Sequence, residues 1–213
     1  MTVIVINPNS TVSMTQAMLE QARRSAPGLR FEGWTSHDGP PAIQGAGDGK
    51  AAAAPLLKLV SKASDANADG IIIGCFDDTA LEEAANLADC PVIGIGQAAY
   101  HYAALRNWRF SVVTTLSASV PVIEANIERQ GMLPFAAKVR ASGVPVLALE
   151  QEPTHAALAI KEEALLAQQG DDIDAVILGC AGMVQVVEMV RESLAIETID
   201  PVACAAKCLK WMV

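Results

Sequence analysis

The chain has 213 residues, 52% hydrophobic and 18% charged, with a formal net charge of −9. That length buries a real core and fits one domain or two small ones. The acidic balance argues against a nucleic-acid partner, which demands clustered Lys and Arg.

The start, MTVIVINPNS, has no basic segment, and its apolar run is too short for a secretory leader or a membrane span. A cytoplasmic protein with no membrane partner is therefore expected. A strand at VIVIN (3–7) precedes a helix from about Thr11 to Ser25, with Ser10 as candidate N-cap. RFEGW (30–34) reads as a second strand. The segment GPPAIQGAGDG (39–49) reads as a loop, because its glycines and prolines do not continue a helix. Further strands are predicted at GIIIG (70–74), VIGIG (92–96), FSVVTT (110–115), VPVLAL (144–149), AVILG (175–179) and ETID (197–200). Near-continuous apolar strands separated by helices indicate a parallel sheet covered on both faces, an α/β protein.

DGIIIGCFDD (69–78) and DAVILGCAGM (174–183) are nearly the same phrase, each a strand closing on Gly-Cys. Cys75 and Cys180 stand 105 residues apart, as do Ile93 and Thr198; VIVINPNST aligns with FSVVTTLSAS, Ile4 facing Val112. Three segments in one order at nearly the same offset, 105, 105 and 108 residues, indicate an internal repeat of roughly 100 residues. The repeat divides the chain into an N-terminal lobe, 1–97 completed by about 200–213, and a C-terminal lobe, 98–199. Ligands of open α/β sheets bind beyond the carboxyl ends of strands, so two thiols are predicted to face one another across a cleft between lobes.

A thiol at a strand-to-helix turn can have its pKa lowered by backbone N–H groups and the positive end of the next helix. One thiolate then removes a proton from a carbon while the opposite thiol returns one to the other face. That is cofactor-free racemisation of a small-molecule substrate. The remaining cysteines, Cys90, Cys204 and Cys208, read as small core hydrophobes. No CxxC pair and no histidine spacing defines a metal site, so none is expected, and His37, His101 and His155 read as structural or solvent-facing.

INPNST, GPPAIQG (39–45), GCFDD (74–78), SVVTTL (111–116) and LGCAGM (178–183) together resemble the aspartate/glutamate/hydantoin racemase superfamily, nearest to hydantoin and allantoin racemases. The resemblance spans essentially the whole chain. It implies two pseudo-symmetric α/β lobes with the active site between them, Cys75 and Cys180 as the acid–base pair, no cofactor, and a homo-oligomer. It also makes the 39–49 loop a substrate-contacting flap carrying Ile43. Substrate contacts are expected from Asn7, Phe76, Asp77, Thr114, Thr115, Ala181 and Gly182. Of Thr114 and Thr115, strand alternation turns one away. Where family members often read GPxSIEG and GCFGDPG, this chain has Ala42 and Gln44, then Asp77, Thr79 and Ala80.

No Arg or Lys lies in either cysteine block, and Asp77 and Asp78 repel a carboxylate. A neutral ring such as a 5-substituted hydantoin needs no cationic clamp, and donors aimed at its carbonyl stabilise the enolate-like species. Allantoin is the nearest alternative, then a free amino acid of the Asp/Glu type. Arylmalonate decarboxylases of the superfamily lack the first thiol, so Cys75 counts against that chemistry. A two-lobed small-molecule binding protein is the non-enzyme alternative, and it needs no matched thiols.

Overall fold

The computed structural model describes residues 1–213. Its first half runs β1 (Thr2–Asn7), α1 (Val12–Ser25), β2 (Arg30–Thr35), α2 (Ala46–Asp65), β3 (Gly70–Ile73), α3 (Leu81–Leu87), β4 (Val92–Gly94) and α4 (Ile95–Leu105). The second half runs β5 (Phe110–Thr114), α5 (Val120–Arg129), β6 (Ala136–Ala141), α6 (Ala148–Gln151), α7 (Pro153–Gly170), β7 (Ala175–Leu178), α8 (Val187–Ser193), β8 (Glu197–Ile199) and α9 (Pro201–Met212). Each half builds one four-stranded parallel sheet, in the orders β2-β1-β3-β4 and β6-β5-β7-β8. The two orders are the same, as a duplication requires. No helix is long and apolar enough to cross a membrane.

Strand alternation sorts the apolar side chains into layers. Val3, Val5 and Ile72 of the first sheet share one core with Phe110, Val112 and Ile177 of the second, joined by side chains of α1, α4 and α9. Ile4, Ile6, Ile71 and Ile73 point the other way, onto Leu56 and Val60 of α2. Val113, Val176 and Leu178 do the same under α7 and α8. In the central strands Val3, Val5 and Ile72 thus have twins in Phe110, Val112 and Ile177, and Ile6, Ile71 and Ile73 in Val113, Val176 and Leu178, each facing the same side.

Those twins correct the expected alignment by one residue. Val3 pairs with Gly70 and Phe110 with Ala175, so Ile6 matches Val113 and Asn7 matches Thr114. Ile4 therefore does not correspond to Val112: the first faces α2 and the second the shared core. Likewise Val92, not Ile93, matches Thr198, because Ile71 pairs with Val92 as Val176 pairs with Thr198. A one-residue slip flips the face, which apolar letters alone do not reveal.

Other boundaries move too. The predicted strand at 144–149 is a loop leading into α6, and the edge strand is β6 at 136–141. Pro145 has no N–H for a ladder, and Val144, Val146 and Leu149 bury against neighbouring side chains instead. α1 begins at Val12 with Thr11 before it and no side-chain cap, while the Ser10 backbone N–H donates to the Pro40 carbonyl. The loop at 39–49 ends early, since Gly47 and Gly49 lie inside α2 and Pro55 is accommodated within it. α4 starts directly at Ile95, so the expected division at 97/98 falls within a helix.

β6 is anchored by charge. Arg140 donates to both carboxylate oxygens of Asp171, at 2.6 and 2.5 Å, and to Glu163 Oε1 at 2.8 Å. Asp171 also accepts from Ser111 Oγ, on the neighbouring strand β5. The Arg140 guanidinium holds the Asp171 carboxyl below its ordinary range. Removing one partner of a largely buried pair strands the other. Arg140→Leu is expected to cost about 3 kcal/mol in urea denaturation at neutral pH. Because the folded pKa of Asp171 is depressed, its stabilisation is complete above roughly pH 4, the unfolded value. It is lost as pH falls through the folded pKa, so the gap between parent and variant should narrow there.

Candidate active site

The two Gly-Cys turns leave the central strands β3 and β7 at matching points. Gly74 N–H donates to the Ile6 carbonyl and Gly179 N–H to that of Val113, carrying each ladder one residue past its strand. The next residue is a cysteine both times. Asp78 N–H then closes a turn onto the Cys75 carbonyl, and Met183 N–H onto that of Cys180, each at 3.1 Å. Cys75 and Cys180 line one cavity of about 30 Å³ between the two sheets' carboxyl ends. The predicted convergence of the thiols is what the fold produces.

Of the other expected residues, Ile43, Phe76, Asp77, Thr114, Thr115, Ala181 and Gly182 also line this cavity. Asn7 does not. Its side chain is fully buried, with Nδ2 directed at Asn9 Oδ1, the Thr11 carbonyl and Thr15 Oγ1, and Oδ1 accepting from Asn9 N–H. It fixes the Asn-Pro-Asn turn, and the turn delivers Asn9 to the lining in its place. The Phe76 ring is packed edge-on against Tyr100, centroids 5.4 Å apart, as part of the shared core. Thr114 Oγ1 is committed to the Gly179 carbonyl at 3.0 Å.

Met14, Ser119 and Val146 complete the wall without having been singled out from sequence. Val146 lies in the segment expected to be a strand, and only α1's apolar face could have signalled Met14. Met14, Ala42 and Val146 pack together over Cys180. Gln44 Oε1 accepts from the Val146 N–H at 2.8 Å, tying the 39–45 segment of the first half to the second. This contact narrows the site, though Cys75 and Cys180 both keep part of their surface exposed. A volume of 30 Å³ holds about one water, far below the roughly 300–1,000 Å³ of ligand pockets.

Burial decides the electrostatics. The Cys75 thiol is pushed well up by loss of solvent and next by Asp77, against the favourable Thr79 hydroxyl and Asp77 backbone N–H. Thr79 Oγ1 is buried and has no hydrogen-bond partner. Cys180 is raised to about 11 by the same desolvation, with the Gly182 and Met183 N–H groups opposing it and Asp77 adding to it. The sequence suggested lowered thiol pKa values; the N–H groups are present, but in the closed site desolvation outweighs them. Asp77 is itself raised to about 7, by burial and then by Asp48, and its Oδ2 is buried with no partner.

No cation lines the cavity, and no cluster of His, Cys, Asp or Glu could hold a metal. The larger concavity, about 610 Å³ between α4 and α9, has Leu105, Trp211 and Met212 at its surface and lacks Cys75, Cys180 and Asp77. His37, His101 and His155 are all exposed; Cys90, Cys204 and Cys208 are only half-buried, packed at core edges rather than inside.

The Asp/Glu/Hydantoin racemase family model matches residues 3–209. The hydantoin racemase of Rhizobium meliloti is 37% identical over 210 residues, 95% of this chain and 85% of that protein. An allantoin racemase structure from Klebsiella pneumoniae superimposes with a TM-score of 0.94 at 33% identity, covering 99% of this chain and 86% of that one. The allantoin racemase of Pseudomonas fluorescens gives 0.94 at 34% identity, with 100% and 90% covered. The two-lobed fold, the matched Gly-Cys turns and these likenesses agree: the chain belongs to the Asp/Glu/hydantoin racemase family and is a racemase.

Proposed function

We propose that the protein racemises 5-substituted hydantoins by proton transfer between Cys75 and Cys180, without a cofactor. The observation carrying this reading is that both thiols line one cavity devoid of Lys and Arg, beside an unpartnered carboxyl. A free amino acid would bring its carboxylate against Asp77 with no cation to offset it. A neutral ring offers N–H groups to that carboxyl and carbonyls to N–H and hydroxyl donors. The name of the Rhizobium meliloti relative supports the same substrate class.

In the forward step the Cys75 thiolate takes the C5 proton, forming S–H and leaving the electron pair delocalised onto the adjacent carbonyl. Cys180 S–H delivers its proton to the opposite face of C5 and becomes the thiolate. The reverse reaction exchanges these roles. The N–H groups of Asp77, Gly182 and Met183 favour the thiolates, and Thr115, free of the bond that occupies Thr114, is the donor we assign to the enolate oxygen. Allantoin is the second reading. Two structural neighbours bear that activity in their names, and Asn9, Ser119 and Asp77 give the lining polar groups for a ureido arm.

We assign β1 to α4 with α9 to one lobe and β5 to α8 to the other, moving the expected division at 97/98 to the end of α4; α9 packs on α1 and α4, which supports returning it to the first. We place the enzyme in the cytoplasm as a homo-oligomer.

The test is a panel of single enantiomers of benzylhydantoin, allantoin and glutamate in deuterium oxide, following optical rotation and loss of the C–H proton above background. Cys75→Ala and Cys180→Ala are each expected to lower racemisation of the hydantoin about 1,000-fold; a variant retaining parental turnover excludes that cysteine. A further expectation concerns Asp77→Asn. Below pH 7 Asp77 is neutral, so the rates of Cys75 and Cys180 alkylation by iodoacetamide should match those of the parent. Above pH 7 the parental carboxylate raises both thiols, so the variant's alkylation profile should lie at lower pH. Coincident profiles across the range contradict that role.

A further inference from the structure

The two lobes solve one capping problem in two different ways. By strand register, β4 followed by α4 corresponds to β8 followed by α9, with Gly94 at the position of Asp200. Asp200 caps its own helix, accepting from the Val202 and Ala203 N–H groups at 2.9 and 3.1 Å. Gly94 has no side chain to do this for α4. The corresponding N–H groups, those of Gly96 and Gln97, are instead bound by Asp78 at 3.0 and 2.7 Å.

Asp78 belongs to the cysteine turn. Its backbone N–H donates to the Cys75 carbonyl and its carbonyl accepts from Leu81 N–H. Its φ of 47° is left-handed, costly for a residue with a β-carbon and tolerated best by Asp and Asn. The fit depends on missing side chains: a β-carbon at 94 would collide with Asp78 Oδ1, and one at 96 would lie 2.5 Å from the Phe76 carbonyl oxygen. From the other side α5 supports the same turn, Gln130 Nε2 donating to Asp78 Oδ2 at 3.2 Å and Asn126 Nδ2 to the Asp77 carbonyl at 2.7 Å. The Cys180 turn has the buried, apolar Met183 where this one has Asp78.

We propose that Asp78 is a positioning residue, which clamps the Cys75 turn to the N-terminus of α4 by supplying the cap that Gly94 lacks. The helix end and the thiol are thereby one rigid unit. An ordinary cap, like that of α9, would stabilise the helix and leave the turn free.

The duplication itself supplies the experiment. Asp78→Ala removes both the cap and the clamp. Adding Gly94→Asp returns a carboxylate at the position of Asp200; the backbone at 94 (φ −82°, ψ 145°) is extended like that at 200 (φ −91°, ψ 112°) and accepts it. Asp78→Ala is expected to lower Tm by about 3 °C and kcat about 100-fold with KM little changed, the scale of an ångström-level misplacement. Cys75 should be alkylated faster relative to Cys180, measured by peptide mapping after iodoacetamide treatment. In Asp78→Ala/Gly94→Asp, Tm should recover while kcat and the alkylation ratio do not. Recovery of kcat together with Tm overturns the proposal, reducing Asp78 to a helix cap, as does Asp78→Ala with parental kcat and alkylation ratio. The proposal builds on the racemase reading but is separable from it. If the parent turns over none of the panel, that substrate assignment fails, while the alkylation ratio still decides whether Asp78 holds the turn.

Discussion

Desolvation of two thiols is the constraint around which the molecule is organised. Cys75 and Cys180 line a narrow cavity of about 30 Å³, and loss of solvent is the largest of the influences that raise both thiols. The fold offsets part of that cost with backbone N–H groups of the turns after β3 and β7, which cannot be relocated without breaking the strands. A base held this way is reluctant, and a reluctant base is a strong one once it has lost its proton. In the proposed reaction, what the site sacrifices in thiolate population it returns as proton affinity, suited to a carbon acid.

Duplication explains why there are two such positions, and divergence explains why they differ. The turns share a hydrogen-bond pattern, from Gly74 and Gly179 through Asp78 and Met183. Their side chains do not match: Asp77 stands where the second lobe has Gly182, and Asp78 where it has Met183. The Cys75 turn therefore carries two carboxyl residues and is held against a helix, while the Cys180 turn carries Gly182 and Met183; Asp77 raises both thiols.

Much of this was legible in the sequence, for identifiable reasons. Continuous apolar runs ending in Gly-Cys gave the central strands and the matched thiols, because strands buried on both faces tolerate little else. Edge strands carry a weaker signal, so AAKVRA at 136–141 went unread while VPVLAL at 144–149 imitated a strand. Register was legible only to within one residue, since Val and Ile recur at successive positions of these strands and a slip of one still sets apolar against apolar at several of them. Asn7 and Asn9 share a motif, and only the hydrogen bonds that consume Asn7 show which of them reaches the cavity. Asp78 was seen as a repelling charge rather than as a cap, because its partners lie across a helix boundary 18 and 19 residues away.

Closure follows from the same arrangement. The wall over Cys180 is made by Met14, Ala42 and Val146, from both halves of the chain, and Gln44 joins them through one backbone N–H. A single neutral hydrogen bond contributes only about 1 kcal/mol net, and three apolar side chains add contacts that a ligand of similar polarity can replace. The seal is thus weak compared with the sheets and the α1–α4–α9 core beneath it. In the proposed reaction, loosening of this contact would admit substrate without disturbing the strands that align the thiols.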